Sequence, residues 1–137
     1  MVAHNFQPQF AAMIIAGTKR STIRPNGKRR HAFVGEELQL YTGMRTKACI
    51  LLMRVPCAET GSVEIHHDHI VIDGFRVASE QNLMRLARID GFASFGSMRA
   101  WFDRQYGLPA VQLTQIAWVP EHAVFCATSA DIAAVVP

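Results

Sequence analysis

A lysine, a threonine and an arginine stand in one short stretch, Gly17-Thr18-Lys19-Arg20-Ser21-Thr22-Ile23-Arg24. On a strand, Thr22 and Arg24 point to the same face, because side chains alternate with a period of two. Lys19 lies in the turn before that strand, so parity does not fix its direction. An ammonium, a hydroxyl and a guanidinium gathered in one place can hold a phosphate or a polarised carbonyl oxygen. A complementary carboxylate lies far along the chain. Asp90 falls seven residues after Leu83, on the apolar face of a predicted helix, so partial burial is expected. A buried carboxylate takes a cation as partner or shifts its pKa. The plain alternative is that Asp90 pairs with Lys19 or Arg24 and only fixes that helix to the domain.

Charge is unevenly spread around this stretch. Residues 1–35 contain no Asp or Glu but hold Lys19, Arg20, Arg24, Lys28, Arg29 and Arg30. The remaining residues carry eight basic and eleven acidic groups, so the net charge of +3 hides a cationic first quarter. Such a local excess attracts polyanions, and its plain alternative is a solvated basic loop. Tyr41, Arg45 and Lys47 flank a turn between two predicted strands. A tyrosine beside two cations can stack a base and hold its phosphate, or be an ordinary hairpin. His66-His67-Asp68-His69 is a metal-like cluster in which His67 and His69 would share a strand face. No further ligand accompanies it, so exposed imidazoles are expected and no metal residues are assigned. Trp101, Phe102, Trp118 and Phe125 are expected in the core.

These groups must be positioned by short elements. Pro8 suits a first helical turn and Gly17 a stop, which predicts a helix over 8–16. A strand follows over 20–24, then Pro25-Asn26-Gly27 opens a basic loop that ends near Gly35. Further strands are predicted over 37–41, 47–55, 63–65, 69–72 and 75–77, the last two joined by a tight Asp73-Gly74 turn. Ser79 is placed to cap a helix ending at Gly91, and a second helix runs over 95–106. Strands over 112–119 and 122–127 follow, and the tail from Ser129 is expected to fray. The pattern is that of a mixed α+β domain, a small barrel flanked by helices. No GxGxxG and no regular strand–helix rhythm supports a doubly wound sheet.

The 137 residues fit one domain over 1–137, with its core at about 6–127. Half the residues are apolar and 18% are charged, which argues against disorder. The apolar run over 48–53 ends at Arg54, far short of a membrane span, so no membrane partner is expected. Three cysteines without a CxxC pair suit free thiols in a reducing, cytoplasmic setting.

Taken together, Gly17-x-Lys19-x-x-Thr22-x-Arg24 resembles the signature of the ASCH domain family. Gly35-Glu36-Glu37-Leu38-Gln39-Leu40 resembles its "G-acid, then apolar strand" element. Ala87-Arg88-Ile89-Asp90-Gly91-Phe92, the Trp101-Phe102 helix and Tyr106-Gly107 resemble its A-x-x-D/E-G-F element and the helix behind it. The resemblance runs from about Phe6 to Val119 and implies a small PUA-like β-barrel associated with RNA.

Some members of that family deacylate N4-acylated cytidines with a Lys, a Thr and a Glu. Lys19 and Thr22 match two of those positions, and Asp90, one methylene shorter, stands at the third. Other members cleave single-stranded RNA with a divalent metal. The resemblance therefore implies an RNA-binding domain acting as a ribonuclease, with Mn2+ or Mg2+ in that case and no cofactor otherwise. Its alternatives are an N4-acylcytidine amidohydrolase and a non-catalytic RNA-binding module. Lys19, Thr22 and Asp90 are the expected catalytic residues. Arg20, Arg24, Lys28, Arg29, Arg30, Tyr41, Arg45 and Lys47 are the expected nucleic-acid contacts. The partner is RNA or a nucleoside.

Overall fold

In the computed structural model, which describes residues 1–133, one long strand organises the molecule. β4, Ile50–Ile65, is 16 residues long and serves two half-sheets. Its first half pairs antiparallel with β3, Glu37–Thr42, and its second half with β7, Ala110–Trp118. Two separate strands were expected here, over 47–55 and 63–65. The chain runs through because Pro56 stands at the last pair of the β3 ladder, opposite Glu37. The bonds beyond it are made by Cys57 N to Glu36 O and Gly35 N to Cys57 O, each 2.8 Å. The register against β7 then shifts between Cys57 and Glu59. Such a bulge bends a strand and lets it pass from one half-sheet to the other.

The remaining strands extend from this spine. β1, Val2–Phe6, lies parallel to β3, and β2, Ser21–Pro25, lies antiparallel to β7. β5, Ile70–Ile72, and β6, Phe75–Val77, form a hairpin on the far half of β4. β8, Val124–Phe125, pairs with Met53 and Arg54. It is shorter than the strand expected over 122–127, because Pro120–His122 forms a 3-10 turn. β1 itself was not predicted, since only His4 and Phe6 of its five residues are buried and one of them is polar.

The mixed α+β class holds, but the expected barrel is not closed. β1 pairs only with β3 and β2 only with β7, so no ladder joins β1 to β2 among the described residues. The chain leaves β1 directly into α1, Pro8–Ala16, and a side chain bridges the gap instead: Arg24 Nη2 donates to Asn5 O at 2.8 Å.

The helices sit where the caps predict. α1 starts at Pro8 and ends at Gly17, whose φ of 82° is the left-handed conformation of a helix stop. Ser79 Oγ accepts from Asn82 N at the start of α2, Glu80–Ile89. α3, Phe95–Tyr106, opens on a Ser94/Ser97 capping box. The tail was expected to fray, yet α4, Ser129–Ala133, forms and buries Ile132 at 5% exposure. The last part of that tail, 134–137, lies outside the described residues.

Two apolar clusters result. Phe6, Phe10, Ile14, Leu38, Leu52 and Trp118 pack with the α1 side of the sheet. Ile23, Ile65, Leu83, Met98, Phe102 and Leu113 pack with α2 and α3. Phe92 packs against both clusters, so the Asp90–Gly91–Phe92 corner lies on their seam. No helix among the described residues is long and apolar enough to cross a membrane.

Candidate active site

Lys19 is buried because of how α1 ends. The backbone N–H groups of Thr18 and Lys19 both bond Met13 O, at 3.0 and 3.1 Å, which wraps the chain tightly round the helix end. Arg20 N then bonds Ile89 O at 2.8 Å and ties the segment to the end of α2. The Lys19 side chain is left pointing inward, 3% exposed. Its Nζ donates to the carbonyl oxygens of Ser21, at 2.8 Å, and of Asp90. It lies 3.7 Å from Asp90 Oδ1 and 4.7 Å from the centre of the Phe10 ring. Asp90 is equally buried, and its Oδ1 accepts from Ser21 Oγ at 3.2 Å.

The corner that delivers Asp90 requires a glycine after it. Gly91 has a φ of +97°, and a Cβ there would stand 2.9 Å from Phe10 Cδ1 and 3.0 Å from Lys19 Cδ.

Burial works against both charges. It lowers the Lys19 pKa from the usual ammonium range, with the Asp90 charge pulling the other way. It raises the Asp90 carboxyl to about 6, opposed by the Lys19 charge and the Ser21 hydrogen bond. Burial thus drives the two groups toward each other on the pH scale, the kind of shift that active sites use to set proton transfer.

Thr22 and Arg24 share a face of β2, as parity predicts. Arg24 Nε donates to Thr22 Oγ1 at 3.0 Å, and its guanidinium lies 4.9 Å from the centre of the Phe6 ring. Burial lowers the Arg24 pKa, with Asp90 opposing.

Lys19, Thr22, Arg24 and Asp90 line one cavity of about 310 Å³, whose other wall is Phe6, Phe10, Phe92, Trp101, Phe102 and Tyr106. Phe102 is buried as expected, but Trp101 is only half-buried and faces this space with it. A small cavity with an aromatic wall and a few convergent polar groups suits one planar, polar-edged ligand.

The predicted nucleic-acid contacts divide. Lys28, Arg29, Arg30 and Arg45 join Arg24 around a second cavity of about 910 Å³. Arg30 is already engaged, with Nη1 and Nη2 donating to the Glu36 carboxylate at 2.8 and 2.7 Å. That pairing, with a further bond from Phe33 N, holds Glu36 down to about 2. Arg20 lies elsewhere, beside Arg88 in a separate depression. Tyr41 bonds Gln39 Oε1 at 3.3 Å, and neither it nor the exposed Lys47 lines either cavity.

The histidine cluster is a hairpin end. His66 stacks on His69, ring centres 4.3 Å apart, while His67 is exposed, so His67 and His69 do not act as a pair. His66 bonds Glu64 at 2.8 Å and His69 bonds Asp68 at 2.7 Å. Among the described residues, no group of three or more His, Cys, Asp or Glu side chains is placed to hold a metal ion. The residues present therefore do not fit the divalent ion that the ribonuclease expectation invokes.

Ser21 and the two aromatics Phe6 and Phe10 are the site residues that sequence reasoning missed. Parity puts Ser21 opposite Thr22, yet its carbonyl and its hydroxyl both serve the Lys19–Asp90 pair.

No family model matches the chain, and no curated protein sequence matches it. Among solved structures, it is similar to crystal structures of an ASCH protein from Zymomonas mobilis. The chain has the ASCH fold. Against a serine-to-alanine variant of that protein the TM-score is 0.50 at 14% identity, covering 85% of this chain and 65% of the other. Against a tyrosine-to-phenylalanine variant it is 0.51 at 10% identity, covering 94% and 76%. The chain thus spans about 65% of the length of the first of these structures. At such identities the likeness speaks for the fold alone.

Proposed function

We propose that this ASCH-fold protein is an RNA-directed hydrolase that draws one unpaired base, presented by single-stranded RNA or by a nucleoside, into the Lys19 cavity. The chemistry there is removal of an acyl group from the exocyclic nitrogen of a cytosine. One observation carries this reading: Lys19, Thr22 and Asp90 converge, buried, on a base-sized cavity with an aromatic wall. Aromatic faces hold a base by stacking whatever its sequence context.

In this reading the neutral amine of Lys19 takes the Thr22 hydroxyl proton as Oγ1 attacks the acyl carbon. The carbon–nitrogen bond breaks, the same proton passes from Lys19 to the leaving amine, and water then hydrolyses the Thr22 ester. Arg24 Nε, already bonded to Thr22 Oγ1, steadies the oxygen that reacts. Asp90 holds the Lys19 ammonium between the two proton transfers.

Cleavage of the RNA chain is the second reading. The cationic wall around Lys28, Arg29 and Arg45 supports it, and the absence of a fitting ligand set for a metal among the described residues weighs against its metal-dependent form. Parallel incubation with N4-acetylcytidine and with single-stranded RNA, the latter with and without Mn2+, separates the two. Cytidine release with intact RNA is the expected result; RNA fragments without cytidine release would replace the first reading with the second.

A further inference from the structure

The second cavity adjoins the first and shares Asn5, Arg24 and Pro25 with it. Its wall carries His4, Arg24, Lys28, Arg29, His31 and Arg45, and no Asp or Glu lines it. Arg30 also lines it, with its guanidinium already paired to Glu36, which is itself not a lining residue. Two of the lining imidazoles are unsatisfied. Nε2 of His4 and Nε2 of His31 are buried and have no hydrogen-bond partner among the described residues. His4 is only 8% exposed. Buried polar atoms are nearly always bonded, so two orphans beside one cationic cavity are bonds left for a ligand to complete. Burial chiefly, and then the charges of Arg24 and His31, push the His4 pKa down to about 4.

Arg24 is the partition between the cavities. On one side its Nε holds Thr22 Oγ1, and on the other its guanidinium adjoins His4, whose charge it opposes. A phosphate is acceptor-only and anionic, and it matches a wall that carries Arg24, Lys28, Arg29 and Arg45 and no lining carboxylate.

We propose that the second cavity binds the phosphate attached to the nucleoside whose base fills the first, so that a nucleotide or an RNA chain is held more tightly than a free nucleoside. This rests on the base occupying the Lys19 cavity. Arg24 and the two histidines then grip the phosphate, while Arg29 and Arg45, on the open side, supply long-range attraction that salt screens.

The test is calorimetric titration of the full chain with cytidine, cytidine 5′-monophosphate, ribose 5-phosphate and the dinucleotide UpC. The monophosphate or UpC is expected to bind at least about tenfold more tightly than cytidine at low salt. The gap should narrow with added salt and shrink in R29A/R45A, two exposed positions whose change leaves the core intact. Nitrogen-15 spectra of the histidine rings give an independent readout: His4 and His31 should shift with the phosphorylated ligand and not with cytidine. The stronger of the two phosphorylated ligands tells whether a terminal phosphate or an internal phosphodiester is preferred. Equal affinity for cytidine and both phosphorylated ligands would overturn the phosphate site and leave the base cavity standing. Ribose 5-phosphate binding as tightly as the monophosphate would overturn the base cavity instead.

Discussion

The Lys19 ammonium lies 3.7 Å from Asp90 Oδ1, although the two residues stand 71 positions apart in the chain, and each is only 3% exposed. Their bonds differ in kind: the lysine is held by two backbone carbonyls and the carboxylate by the Ser21 hydroxyl. The pair joins the end of α1 to the end of α2 and at the same time forms the polar floor of the cavity. Structure and chemistry rest on the same two side chains, and the following predictions separate these roles.

Removing one partner strands a buried charge. Lys19→Met is expected to destabilise the fold by about 3–5 kcal/mol, and the double variant K19M/D90L by clearly less, because no charge is then left unpaired. Urea unfolding of the single and double variants checks this; equal losses would show that the pair does not interact.

The pH dependence of stability follows from the directions of the two shifts. Asp90 has a folded pKa of about 6 against an ordinary value of 3.8. The native state therefore binds more protons than the unfolded chain between these values, and stability falls as pH rises from about 4 to about 6. Lys19 is shifted the other way, below 10.5. Between its folded pKa and 10.5 the unfolded chain binds more protons, so stability rises again on the alkaline side. Thermal unfolding across pH 4–10 should show this dip, and Asp90→Asn should remove its acid limb.

Ser21 positions Asp90 without touching a ligand. Ser21→Ala removes a hydrogen bond that favours the carboxylate, at a cost of about 1 kcal/mol in stability. The Asp90 pKa rises further, and the acidic limb of the activity profile moves to higher pH. A lower rate with an unmoved limb would mean that Ser21 only fills space.

Much of this was legible in the sequence. Pro8, Gly17 and Ser79 bound their helices as capping rules state, because a cap is a local event. Lys19, Thr22 and Asp90 were flagged by type and spacing, and the fold brings them together. What escaped was set by distant partners. β1 has too few apolar residues to declare itself and exists because β3 lies beside it. β4 runs through Pro56 because Cys57, Gly35 and Glu36 carry the neighbouring bonds. Ser21 serves the site partly through its carbonyl, an atom every residue has. The division of the cations into Arg24, which reaches the first cavity, and Lys28, Arg29 and Arg45, which surround the second, depends on the gap between β1 and β2.

The base cavity predicts an optical signal. The chain has two tryptophans, Trp101 on the cavity wall and Trp118 in the core. In W118F, cytidine or its phosphorylated forms should quench the remaining fluorescence by stacking on or near Trp101. Calorimetric binding without quenching would place the base elsewhere.

The central claim is that Thr22, in the Lys19 cavity, attacks the acyl group. Thr22→Val keeps the shape and removes only the hydroxyl, so the fold should persist and substrate should still bind. On N4-acetylcytidine, kcat is expected to fall at least about a hundredfold with KM nearly unchanged. A folded Thr22→Val protein that releases cytidine at the wild-type rate would contradict the account.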